Sequence, residues 1–321
     1  MPTSASRTIR HLRSSTSVAA RPGSSWARCW APHNPFIPNR RRPWPCMPGS
    51  PPQGICPVLN EILHLQQHQQ RWIRRFEPRP LARMYLFCLA HAGGGARFFA
   101  SWARLLPPNI EVIALQLPGR EERINEPLID QMRPLVNGLT AVLPDWLDRP
   151  YALFGHSMGA AVAHEVCLAL QRQSLRQPTC LIVSGREGPN RHHGGSLHLA
   201  EDGRLLADIA GLGGSPSALQ TCPELQSMAL PILRNDYKLI ETYRPDPQRA
   251  RLNVPIEVLV GRDDRELNPG DAEAWADETD KGIRLHPFEG GHFYLTPQRE
   301  MVLRCISRCL GVSSPQALEM P

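Results

Sequence analysis

The chain has 321 residues and a formal net charge of +6. That length accommodates one α/β domain of roughly 200–250 residues plus an appendage, and a core of that size needs no disulfide or metal staple. The charge is lopsided: the first 60 residues carry eight arginines and no acid, which leaves 28 basic against 30 acidic residues after them. The high isoelectric point therefore belongs to the N-terminal stretch, and no nucleic-acid partner is expected for the folded part. Nine scattered cysteines, an odd number, suit a reducing compartment, so the expected location is cytoplasmic. Cys88 and Cys180 lie in apolar runs that read as strands, and Cys305 and Cys309, one helical turn apart, read as packing. No C-x-x-C or H-E-x-x-H occurs, so no metal is expected. No apolar run is long enough to span a bilayer, and no apolar segment follows the early arginines as in a secretory signal, so no membrane partner is expected.

Residues 1–57 are rich in Pro, Arg, Ser and Trp without helical or alternating periodicity, and read as a disordered extension. An Arg- and Ser-rich, acid-poor start resembles an organellar transit peptide. The favoured reading is instead upstream DNA translated from a start codon set too early, with Val58 as a candidate true start, because arginine dominates lysine as GC-rich coding dictates. Residues 58–83 form a lead-in, and 313–321 a flexible tail. From residue 84 the pattern changes. MYLFCLAH (84–91) predicts a buried strand, residues 96–106 a helix, and residues 110–119 a strand. A helix follows over 129–147, then YALFGHS (151–157) as a strand running directly into a helix at 158–173. Strands are predicted at 180–187, 255–264 and 283–292, with helices at 269–279 and 297–310. Continuous apolar strands alternating with helices indicate a mostly parallel sheet covered on both faces, here over 84–312. Residues 190–250 break the rhythm with two or three helices joined by Gly and Pro turns, and predict a lid over the strand ends.

The chemistry centres on Gly155-His156-Ser157-Met158-Gly159. This is a G-x-S-x-G pattern with a strand before it and a small-residue helix after it. The abrupt turn strains Ser157 and exposes its hydroxyl at the carboxyl edge of the sheet, where the helix N-terminus points free N–H groups. A serine needs a base. His292, in Glu289-Gly-Gly-His292, follows the last strand and satisfies the chain order Ser…Asp…His. His286 on the strand itself reads as packing or surface, His156 as structural, and His192, His193 and His198 as exposed lid residues. The orienting acid should follow the preceding strand, where Asp263 and Asp264 compete. Asp264 is chosen by analogy with the G-x-x-D loop of α/β-hydrolases, and Asp263 would cap the turn. His91-Ala92-Gly93-Gly94-Gly95 is placed to supply an oxyanion-hole N–H from Ala92, with Gly93 as the alternative, and Met158 N–H supplies the second.

These residues together resemble a type II thioesterase, the stand-alone editing enzyme of nonribosomal peptide and polyketide synthases. The resemblance runs from about Trp72 to Leu310. It includes WIRRFEPRP (72–80), LFCLAHAGGGA (86–96), LPGREERINEP (117–127), FGHSMGA (154–160), two lid stretches, GRDDRELNPGDAEAW and FEGGHFYL. It implies the α/β-hydrolase fold and a thioester on the 4′-phosphopantetheine arm of a peptidyl or acyl carrier domain as substrate. It also implies a Ser157–His292–Asp264 mechanism, a monomer, and no cofactor. The extension before residue 58 departs from the family pattern. The competing readings are a general carboxylesterase or acyl-CoA thioesterase, and a non-catalytic hydrolase-like binding protein.

Overall fold

The computed structural model describes residues 71–214 and 217–312. The expectations for 1–57, for residues 58–70 of the lead-in and for the tail 313–321 lie outside the described residues. Strands β1 (Ile73–Arg74), β2 (Met84–Leu89), β3 (Ile110–Leu115), β4 (Tyr151–His156), β5 (Leu181–Ser184), β6 (Ile256–Gly261) and β7 (Ile283–Phe288) form one sheet. Their order is β1-β3-β2-β4-β5-β6-β7. Every neighbouring pair is parallel except β1 with β3. Helices α1 (Ala100–Leu105), α2 (Met132–Val142), α3 (Met158–Arg172), α7 (Pro269–Glu273) and α8 (Arg299–Cys309) cover this sheet. Between β5 and β6 run α4 (Asp202–Gly211), α5 (Ser217–Thr221) and α6 (Pro223–Thr242).

The period of two along a strand sorts its side chains onto two cores. On β2, Tyr85, Phe87 and Leu89 face the core shared with α2 and α3, whereas Met84, Leu86 and Cys88 face the one shared with α1 and α8. All six are buried, which is why the strand reads as an unbroken apolar run rather than an alternating one. Truncating Leu86, fully enclosed, costs about 2–5 kcal/mol. The parallel register pairs Leu89 with Gly155, and His156 with Ser184. The strand ends therefore come level along one rim, where the connecting loops gather.

The observed strands are shorter than the predicted ones because their last residues leave the ladder to build that rim. β2 stops at Leu89 instead of continuing to residue 91, and β7 stops at Phe288 short of 292. The predicted helices over 129–147 and 269–279 each finish in a 3-10 turn, at Leu143–Trp146 and Ala274–Glu278. The two-residue strand β1 falls inside the predicted lead-in, because two residues carry no periodicity.

The inserted helices have a small core of their own, made of Leu205, Leu206, Ile209, Leu219 and Leu233. Helix α6 continues through Pro231, which lacks the N–H of an ordinary helical residue, so neither proline nor turn divides it there. Its C-terminal end joins the main core through Leu239, Ile240 and Tyr243. The Tyr243 hydroxyl also donates to Glu165 Oε1 on α3 at 2.7 Å.

Candidate active site

Ser157 sits between β4 and α3 with φ 54° and ψ −119°. A non-glycine residue held there stores about 1–3 kcal/mol of backbone strain, which the surrounding packing must hold in place. Two glycines permit the approach. A Cβ on Gly155 would lie 2.1 Å from the Gly159 carbonyl oxygen, and one on Gly159 would lie 2.4 Å from that of Leu89. The serine N–H is tied to the Ser184 carbonyl at 2.8 Å. Met158, the first residue of α3, is buried against the core, so its free N–H opens the helix directly beside the serine.

His292 follows β7 in a loop and is 3% exposed. Its Nδ1 lies 2.9 Å from Asp264 Oδ2, and Asp264 Oδ1 accepts the Glu266 N–H at 3.0 Å. A carboxylate accepts only, so Nδ1 carries the proton and Nε2 is left with its lone pair. Asp264 is buried, whereas Asp263 is exposed and uses its N–H on the Gly290 carbonyl. Of the two acids, then, it is Asp264 that meets the imidazole. His286 bonds Glu257 on the edge of the sheet instead.

Beneath this pair runs a hydrogen-bonded chain that the sequence did not disclose. His156 Nδ1 is 3.0 Å from Ser184 Oγ, which is 2.6 Å from the Tyr294 hydroxyl. The His156 and His292 rings lie 4.9 Å apart. Burial, and then the neighbouring His292, hold the His156 pKa well below 6.5, so a neutral ring supports His292. The same two causes push His91 down to about 4. The only available hint was FEGGHFYL, where Tyr294 stands two residues after His292.

The loop after β2 is anchored from the insertion. Asp236 on α6 is 1% exposed and forms a two-pronged pair with Arg120, Nη1 to Oδ2 at 2.6 Å and Nη2 to Oδ1 at 2.8 Å. Asp236 Oδ2 also accepts the Gly93 N–H at 2.8 Å, and Arg120 Nη1 donates to the Gly94 carbonyl at 3.0 Å. Of the two loop N–H groups weighed from sequence, that of Gly93 is thus already engaged. Neither Arg120 nor Asp236 was singled out as a site residue, because 116 residues separate them. Arg123 of the same L-P-G-R run is likewise internal, pairing with Glu126 and lying 4.2 Å over the Trp72 ring.

Above the serine opens a cavity of about 700 Å³ lined by Ser157, Met158 and His292 below and by apolar side chains such as Leu219, Met228 and Leu233 above. Its size is that of a small-ligand site. Glu266 enters it 3.7 Å from His292 Nε2, and burial raises its carboxyl pKa above 4.5. One lid expectation needs correcting. His193 is exposed, but the His192 and His198 side chains are 7% and 11% exposed. Each is drawn inward by a carboxylate, Glu187 at 2.9 Å and Glu241 at 2.6 Å.

Residues 84–310 match the model of the thioesterase domain. The chain belongs to the thioesterase family. Over 240 residues this thioesterase is 38% identical to a probable cadicidin biosynthesis thioesterase of Streptomyces griseus, covering 75% of this chain and 66% of that protein. Thioesterase PikA5 of Streptomyces venezuelae is 36% identical over 243 residues, or 75% of this chain and 86% of that one. Among solved structures, the type II thioesterase BorB from the borrelidin biosynthetic cluster superimposes with a TM-score of 0.69 at 40% identity. That match covers 74% of this chain and 97% of the other. The mostly parallel sheet is accordingly an α/β-hydrolase sheet, and the protein is a thioester hydrolase. Among the described residues no helix is long and apolar enough to cross a membrane.

Proposed function

We propose that this thioesterase removes acyl, aminoacyl or peptidyl groups from the phosphopantetheine arms of carrier domains, using Ser157, His292 and Asp264. The observation that carries the reading is the Asp264–His292 bond of 2.9 Å on the rim that also bears the strained Ser157, beneath a lidded cavity. The relatives named for biosynthetic clusters support the carrier-bound substrate.

In this reading Ser157 Oγ attacks the thioester carbonyl while His292 Nε2 takes its proton. Asp264 stabilises the imidazolium and keeps the tautomer. The developing oxyanion meets the N–H groups of Met158 and Ala92, each worth about 2.7–4 kcal/mol. The C–S bond breaks, His292 returns the proton to the leaving thiolate, and the acyl group remains on Ser157. Water, deprotonated by the same nitrogen, then releases the acid. All of these steps use side chains and backbone of this chain, and the pantetheine arm arrives with the carrier. We assign the enzyme to the cytoplasm as a monomer. Its free thiols, among them Cys88, Cys167 and Cys180, suit that reducing location.

The test compares wild type and Ser157→Ala on acetyl groups loaded on a carrier protein and on free acetyl-CoA, with release read by intact mass of the carrier or by liberated thiol. Faster release from the carrier, abolished by the substitution, is expected. Equal or better turnover of acetyl-CoA would replace this reading with a general thioesterase.

A further inference from the structure

Strand β7 is the edge of the sheet, and of its six residues only Phe288 is buried. Apolar burial holds this strand less firmly than the others, yet the loop after it carries His292. Across from it on α8 stand Cys305 and Cys309, which the sequence assigns to packing. The fold adds a third donor. A ring nitrogen of His286 and the two sulfurs all lie within 4.8 Å of one another. Cys309 Sγ is 3.7 Å from His286 Nε2.

The cluster is tight enough to close on one ion. Metal–sulfur bonds of about 2.3 Å and metal–nitrogen bonds of about 2.0 Å in a tetrahedron place sulfur about 3.8 Å from sulfur and about 3.5 Å from nitrogen. A disulfide is a poorer fit. Residues four apart on a helix hold their Cβ atoms about 5–6 Å apart, and a disulfide needs about 3.5–4.5 Å. Charge also closes. Two thiolates balance a divalent cation, and the ion displaces the 2.7 Å bond that Glu257 makes to His286 Nε2, the nitrogen facing Cys309, while Arg284 keeps the buried Glu257 paired.

We propose that His286, Cys305 and Cys309 form a binding site for a thiophilic divalent transition-metal ion such as zinc, which ties edge strand β7 to helix α8. His286 and Cys309 are partly exposed, so the ion has an entry path and a fourth position for water. On binding, each thiol and the imidazolium releases its proton to solvent, and no electron moves.

The full chain, reduced and stripped with a chelator, is titrated with cobalt(II) and then with zinc(II). The expected result is a saturable thiolate-to-cobalt charge-transfer absorption that zinc abolishes, and a zinc-dependent rise in Tm. Cys309→Ser and His286→Gln, both at partly exposed positions, should each bind one equivalent less than wild type. Absence of charge-transfer absorption in the folded wild type overturns the site. So does unchanged stoichiometry in both variants, which would place the metal on other cysteines and histidines. None of these readouts depends on turnover at Ser157.

Discussion

The rim of the sheet and the helical insertion above it are held by different means. Ser157 and Asp264 follow strands packed on both faces by two large cores, and His292, after the edge strand β7, is tied to them through Asp264, so their positions are over-determined. The insertion has five buried apolar residues of its own. Its remaining ties include the Tyr243–Glu165 bond at the end of α6 and the Arg120–Asp236 pair. The triad's supports therefore lie in the sheet cores, whereas the insertion meets the rim through a few polar ties from α6.

Substitutions separate the two regions. Ser157→Ala should lower kcat/KM by roughly 10³- to 10⁶-fold with Tm unchanged, read by thioester turnover and calorimetry. Asp264→Asn should cost about 10⁴-fold, because the amide favours the wrong imidazole tautomer, again without unfolding the rim. A comparable loss of Tm in either variant would mean that the rim is not over-determined. On the other side, Asp236→Asn strands a buried guanidinium and should destabilise by about 3–5 kcal/mol in urea unfolding. Arg120→Met with Asp236→Leu should recover much of that stability while kcat stays low, since the Gly93 N–H has lost its acceptor. Recovery of both would sever the link between insertion and loop.

Two smaller effects probe charge. His164 is fully buried on α3, and burial followed by Arg249 pushes its pKa down to about 3. It lies 3.4 Å from Glu278, but that carboxylate is already engaged by Arg249, so the ring stays neutral. The unfolded chain takes up its proton near pH 6.5 and the native state does not. Stability is therefore present above pH 6.5 and lost as pH falls toward 3, by roughly 2 kcal/mol between pH 6.5 and 5. His164→Gln should flatten that slope by about one proton in urea midpoints measured across the range. Glu266→Gln should stabilise by no more than ~0.5 kcal/mol at pH 7, because burial raises this carboxyl pKa and charging it costs the native state, while water screens its exposed part. The gain should vanish below about pH 4.5, where the carboxyl is protonated folded or unfolded.

Much of the rim was legible because its signals are local. Gly155-His156-Ser157 sits between an apolar run and an alanine-rich helix, and the sheet strands β2 to β6 announce themselves by their largely apolar runs. Chain order was enough to nominate His292, and analogy chose Asp264 over Asp263. What stayed hidden depends on pairing across the fold. Arg120 with Asp236, His156 with Ser184 and Tyr294, and His286 with Cys305 and Cys309 look like unrelated residues until the topology joins them. His192 and His198 were misplaced for the same reason, since a polar residue in a Gly-rich stretch reads as solvated until its carboxylate partner is known.

The Asp236 carboxylate has a consequence for timing. One oxygen grips both the Arg120 guanidinium and the Gly93 amide, so a departing α6 takes the loop's anchor with it. Under the proposed mechanism, lifting α6 would release the loop proposed to hold the oxyanion in the same movement, in the manner of a safety interlock. On that reading, an acyl chain that propped the roof open would meet an enzyme not yet set to cut.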